Sequence, residues 1–343
     1  MAFADDIHKH KPRDIKPQGA DSGLDADKVD GLHGHRAWNW ADEATFTHVI
    51  RVPLGKPVKH AGNPFFEVRS GKFDSHKVAY PNCFRYGNYY YIVYLGAQSG
   101  WANPRIGIAR CPITSDPTVK TNWTRFDEPI VTPTDIGKTS IGYPNVVVDL
   151  PRNKFTMFVK GANYEMCVLS CDLADDPCVA ANWSKDADCA IPADCQDPCQ
   201  GVLRTGNLYW MQYRTDGNIL KAMTSDDRST WTDRAQIVPK GAAGSWDDNL
   251  LALSSAFWNL GIYYALYSGH DGSTWAIGLA ISFKGFEDFY KLPYNPILEK
   301  GSGWEASEVN GPGLIMVEEK FLMFYTGYSS ATLLNQIGLA TIP

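Results

Sequence analysis

The stretch from Trp304 to Gly327, WEASEVNGPGLIMVEEKFLMFYTG, carries a frame that the chain uses repeatedly. Trp304-Glu305 is an aromatic followed by an acid. Pro312 comes seven residues after the acid, and an apolar run closes at Gly327, fifteen residues after the proline. Phe73-Asp74, Pro81 and Gly96 keep both gaps, and so do Trp246-Asp247, Ser254 and Gly269. Two looser copies are Tyr143-Pro144 with NKFTMFVKG and Asp197-Pro198 with GNLYWMQY. A fixed period is an architectural signal that must be read before any local one.

Pro81, Pro144, Pro198, Ser254 and Pro312 follow one another at intervals of 54 to 63 residues. Each unit reads as four strands. The first follows the proline slot and the second is the aromatic run. The third carries Ile106-Gly107-Ile108-Ala109, Ile277-Gly278-Leu279-Ala280 or Ile337-Gly338-Leu339-Ala340, where small residues let neighbouring sheets approach. The fourth begins near Trp123, Trp183, Trp231 and Phe289. Five such units predict an all-β fold, a five-bladed β-propeller of four-stranded blades, which handles its sheet edges by radial repetition.

The last unit ends at Pro343 after its third strand. Residues 46–66, FTHVIRVPLGKPVKHAGNPFF, supply the missing fourth, because Asn63-Pro64 matches Asn295-Pro296 at the end of the fourth unit. The N-terminal strand is therefore expected to join the last blade, close the ring and remove two open edges. The domain reading is residues 1–44 as an extended arm and attachment segment, and 45–343 as the propeller.

The chain has 343 residues, 13% of them aromatic, and a formal net charge of −6. Mild acidity argues against nucleic acid and anionic membranes as partners, and no apolar run approaches the length of a membrane span. The polar start, MAFADDIHKHKPRD, has no signal-peptide pattern. Six of eight cysteines crowd between Cys167 and Cys199. Local disulfides formed outside the cell are favoured there over plain buried thiols. A metal site comes last, for want of a Cys-x-x-Cys pair or a histidine in the cluster. The histidines show no ligand spacing, and no cofactor is expected. An axial ion such as calcium has no donor pattern to support it.

Ser22 to Gly34, SGLDADKVDGLHG, resembles short segments of bacteriophage tail fibres and other virion appendage proteins. Asp25, Asp27 and Asp30 lack the glutamate that would close an EF-hand loop; a solvated acidic linker is the alternative. The resemblance implies a virion protein, made in the host cytoplasm and joined to other virion proteins through its arm. Homo-oligomerisation stays open.

Over residues 46–343 the blade pattern resembles the five-bladed glycosidases of glycoside hydrolase families 32, 43 and 62. That family places acids at the starts of its first three inner strands. Here those positions are Tyr80, Tyr143 and Asp197, so one acid is kept. The acids lying before the slots, Asp74, Asp247, Glu305 and Glu308, are the other catalytic candidates beside Asp197. Asp74, Asp247 and Glu305 repeat after an aromatic, which fits acceptors of backbone or indole hydrogen bonds at blade corners. Tyr80 and Tyr143 offer flat faces for sugar rings, and Asn82, Asn145 and Asn310 flank the slots as further sugar-binding candidates. Trp101, Trp210, Trp258 and Trp275 are candidates for loops around the site. The expectation is a propeller that binds host-surface carbohydrate. An active glycoside hydrolase or depolymerase is the alternative, and a purely structural virion decoration is the third reading.

Overall fold

The computed structural model describes residues 56–259, 261–317 and 320–342. Strand β1 (Val58–Lys59) comes first but belongs to the last blade. Blade I is β2 (Lys77–Tyr86), β3 (Tyr89–Ala97), β4 (Arg105–Pro112) and β5 (Thr124–Arg125). Blade II is β6 (Gly142–Asp149), β7 (Lys154–Lys160), β8 (Met166–Asp172) and β9 (Ser184–Asp188). Blade III is β10 (Cys195–Thr205), β11 (Leu208–Thr215), β12 (Leu220–Ser225) and β13 (Thr232–Val238). Blade IV is β14 (Leu250–Asn259), β15 (Ile262–His270), β16 (Trp275–Ser282) and β17 (Tyr290–Lys291). Blade V is β18 (Glu308–Val317), β19 (Lys320–Ser329), β20 (Leu334–Ile342) and β1. Every blade is an antiparallel meander, and one parallel bridge, Lys77 to Asn335, links blades V and I. The predicted five-bladed propeller is the observed fold.

Ring closure follows the asparagine match. Val58 pairs with Thr341 and Lys59 with Ala340. The amides of Phe65 and Phe66 donate to Ile337 O. Asn63 holds Leu339 from both sides: its Oδ1 accepts from Leu339 N at 2.9 Å and its Nδ2 donates to Leu339 O at 2.9 Å. Asn295 does the same to Leu279 in blade IV, at 2.9 and 2.8 Å. One amide side chain thus replaces a strand residue where proline has no N–H to give. Residues 46–55 of the expected closing segment, and the whole arm with its tail-fibre-like stretch, lie outside the described residues.

The repeated frame is a packing unit. Trp304 lies across two glycines, one on the second strand and one on the third. A Cβ on Gly327 would sit 2.2 Å from Trp304, and one on Gly338 would sit 2.8 Å from it. Phe73 covers Gly96 and Gly107 in blade I, and Trp246 covers Gly269 and Gly278 in blade IV. These glycines make room for a ring within the blade, which corrects the expectation that they bring neighbouring sheets together. The corner tryptophans are buried as expected. The indole N–H of Trp123 donates to Pro117 O at 2.9 Å, and that of Trp183 to Pro177 O at 2.8 Å. Phe289 takes the same corner in blade IV, where no such donor has to be satisfied.

Adjacent blades bury apolar faces against each other. Tyr91, Val93 and Leu95 of β3 pack with Phe155, Met157 and Val159 of β7. Because both faces of a blade are covered, the second strands are continuous apolar runs without alternation. All eight cysteines are free thiols, six of them buried, and burial holds Cys189 and Cys195 up at about 12. The disulfide expectation is therefore corrected: Cys167, Cys171 and Cys178 fill the apolar contact of blades I and II, and Cys189, Cys195 and Cys199 that of blades II and III. Among the described residues no group of three or more His, Cys, Asp or Glu side chains is arranged to hold a metal.

Candidate functional site

Each inner strand carries a bulge where it meets the axis. Tyr80, Tyr143, Leu253 and Gly311 there have φ of 54, 48, 49 and 54°. Left-handed backbone costs about 1–3 kcal/mol at a non-glycine residue and needs support from its surroundings. The neighbouring blades give that support. Tyr80 N donates to Thr326 Oγ1 at 2.8 Å, and Gly311 N to Ser268 Oγ at 3.0 Å. Asn82 Oδ1 accepts from Val146 N at 2.9 Å. The bulge turns the residue ahead of the slot toward the axis and ties each blade to the next.

Blade III departs from this pattern. Its left-handed residues are Cys199 and Gly201, so the residues at the axis are Cys199 and Gln200. Gly201 is required twice over: its φ is 54°, and a Cβ would come within 2.9 Å of Ala256 N. Asp197 is thus two residues behind the axial position that the slot alignment gave it.

The axial throat is a narrow space of about 30 Å³ floored by the slot residues. Above it opens a cavity of about 440 Å³. Tyr80, Tyr143, Trp101, Trp275 and Tyr328 supply its aromatic wall, and Lys77, Asp197, Arg214 and Glu308 its charge. A second cavity of about 270 Å³ adjoins it between blades I and II, sharing Tyr80, Trp101 and Tyr143. Tyr80 and Trp101 are stacked, 5.6 Å apart at 9°. Tyr143 meets Tyr80 edge-on at 4.8 Å. Trp101 is 46% exposed, so this stack is open to a ligand.

Asp197 and Glu308 are the two catalytic candidates that line the cavity. Both oxygens of Asp197 are engaged by cations, Oδ1 by Lys160 and Oδ2 by Arg214 Nε at 2.6 Å. Glu308 has no such clamp. Burial raises its carboxyl above the ordinary glutamate range, and Lys77 opposes that rise. The Lys77 ammonium is itself held down by burial. It sits over the rings of Trp101 and Tyr328, at 5.2 and 5.0 Å, and donates to Leu333 O at 2.7 Å. The Tyr80 phenol is pushed up, first by burial and then by Glu308 and Asp197. Both carboxylates therefore act on one ring.

The other three catalytic candidates lie elsewhere. Asp74, Asp247 and Glu305 are buried inside their blades and accept the hydroxyls of Tyr94, Tyr267 and Tyr325 at 2.9, 3.1 and 2.9 Å. Arg125, Lys291 and Lys59 neutralise them. The donors are phenols of the second strand, whereas indole or backbone donors were expected. Asp194 and Tyr213 repeat the arrangement in blade III at 3.2 Å. Of the asparagines, Asn82 and Asn145 line the throat, and Asn82 Oδ1 is spent between blades. Asn310 faces the larger cavity, and its buried Oδ1 has no protein partner. Trp101 and Trp275 line the site. Trp258 is an exposed residue of β14 outside these cavities, and Trp210 packs on Phe286.

Sequence reasoning missed Lys77, Lys160 and Arg214. Lys77 and Lys160 stand at strand ends like many solvated lysines, and only the strand register brings them to the site.

Solved structures share this architecture. A glycosyl hydrolase from Bacteroides ovatus superposes with a TM-score of 0.64 at 17% identity, over 84% of this chain and 93% of its own. An endo-1,4-β-xylanase from Bacteroides thetaiotaomicron gives 0.62 at 18%, over 80% and 92%. The catalytic domain of an α-L-arabinofuranosidase of glycoside hydrolase family 62 from Coprinopsis cinerea gives 0.63 at 12%, over 84% and 98%. At these identities the likeness shows the fold alone, a β-propeller. No protein-family model and no curated protein sequence matches the chain.

Proposed function

We propose that the axial site binds carbohydrate and that the chain is a glycan-binding propeller with a glycosidase ancestry. The observation that carries this reading is the stacked Tyr80–Trp101 pair forming a wall common to two cavities. Aromatic faces cover the apolar sides of a sugar ring, while polar groups around them fix its hydroxyls. Asp197 and Glu308 are acceptors for those hydroxyls. The solved propellers named above are described as acting on glycosides, which supports the same ligand class.

Hydrolysis is the second reading, and the raised carboxyl of Glu308 in the same cavity as Asp197 favours it. Glycoside cleavage needs one protonated and one ionised carboxyl facing each other across the bond. Glu308 suits the acid role. Asp197, with each oxygen on a cation, suits the orientation of a hydroxyl better than attack or activation of water. Binding without cleavage is therefore the reading we favour. The tail-fibre-like Ser22 to Gly34 supports its setting, a virion appendage that meets host-surface glycans and joins other virion proteins through its arm.

A glycan array read for binding, followed by reducing-sugar assays on each bound glycan, tests this. Binding with no release is expected. Release that Asp197→Asn and Glu308→Gln both abolish would make the protein a hydrolase. Failure to bind any glycan would overturn the carbohydrate reading.

A further inference from the structure

The Lys160–Asp197 ion pair stands on the boundary between the two cavities. Asp197 lines the larger one and Lys160 the smaller one. In the smaller cavity Lys160 is the one charged group, among neutral residues such as Trp101, Tyr143 and Ser140. Its ammonium lies over Tyr143 and Tyr164, at 5.2 and 4.8 Å from the ring centres. Asp197 is its one carboxylate partner among the described residues, and Arg214 already serves that carboxylate. An ammonium has three donors, so Lys160 can take an anion without stripping Asp197 of its neutralising charge. Across both cavities the charged lining is Lys77, Lys160 and Arg214 against Asp197 and Glu308. A chain of formal charge −6 thus has a surplus of positive charge at its aromatic site. Neutral sugars do not call for that surplus.

We infer that the ligand is an anionic oligosaccharide, carrying carboxylate or sulfate, with its charged unit in the cavity between blades I and II against Lys160 and a neighbouring ring on the Tyr80–Trp101 wall. This rests on the carbohydrate reading and narrows it to a class of glycan. It also makes the ligand longer than one sugar, since the two cavities share a wall and differ in charge. Ion pairing in a partly buried site is screened less than on an open surface, yet it still weakens with salt.

The test is an array of size-matched oligosaccharides: uronate-containing, sulfated, neutral, and carboxyl-reduced versions of the uronate set. It is read at about 0.05 and about 0.5 M salt. Bound glycans should be acidic, and the uronate and sulfated arms tell which anion is preferred. Lys160→Gln should weaken them roughly tenfold, Lys160→Arg should restore them, and high salt should reduce them. Ser140→Glu puts a carboxylate into the same cavity without touching the ion pair. It should abolish acidic binding even if Lys160→Gln folds poorly. The inference is overturned if only neutral or carboxyl-reduced glycans bind, or if acidic binding ignores Ser140→Glu and a folded Lys160→Gln. If no glycan binds at all, it is the carbohydrate reading itself that fails.

Discussion

Trp304 lies flat across Gly327, close enough that a single added methyl would sit 2.2 Å from its ring. Gly327→Ala should therefore force the indole or β19 to move, at a cost of about 1–3 kcal/mol. A thermal melt should show a fall in Tm. Gly142→Ala is the comparison, because its added Cβ meets nothing within 4 Å, and it should stay within about 0.5 kcal/mol of the parent.

Asp74 is wholly buried between Tyr94, Arg69 and Arg125. Asp74→Asn leaves two partly buried guanidinium groups short of a countercharge, with Asp127 still beside Arg69, and should cost up to about 3 kcal/mol. The expected result is a large loss in denaturant stability with unchanged glycan affinity per folded molecule. Unchanged stability with lost affinity would move Asp74 into the site.

The ring is closed in part by Asn63, whose side chain brackets Leu339. Asn63→Ala removes both bonds and should cost about 1–3 kcal/mol. Hydrogen exchange is the sensitive readout. The amides of β20 should lose protection, while those of β16, held by Asn295, should keep theirs.

Glu308 sits above the ordinary glutamate range because it is buried. The folded protein therefore keeps that proton to a higher pH than the unfolded chain does, and stability falls as pH climbs through the raised range. Glu308→Gln removes the penalty. Its Tm should match the parent near pH 4 and exceed it near pH 7. A variant less stable at neutral pH would mean that Lys77 outweighs burial.

The architecture was legible because it is written as a repeat. Aromatic, acid, slot and glycine recur at fixed spacing, and each has one geometric job in a blade. Asn63-Pro64 was legible for the same reason, having a twin in Asn295-Pro296. The site was only partly legible. Tyr80, Tyr143 and Glu308 follow from the slot, but Asp197 was displaced by the extra bulge at Gly201, which the slot spacing does not reveal. Lys77, Lys160 and Arg214 converge through cross-strand register, and a one-residue shift would turn each to the other face. The cysteines misled because local crowding in sequence resembles a disulfide framework, whereas here they are shared between the apolar contacts on the two sides of blade II.

The central claim is that the Tyr80–Trp101 wall binds sugar, and titration calorimetry of an array-selected oligosaccharide against the parent and Trp101→Ala tests it most directly. Trp101 is half-exposed, so its removal should leave Tm nearly unchanged. The account predicts saturable binding to the parent and affinity at least about tenfold weaker in the variant. Equal affinity in both proteins, at equal stability, would contradict it.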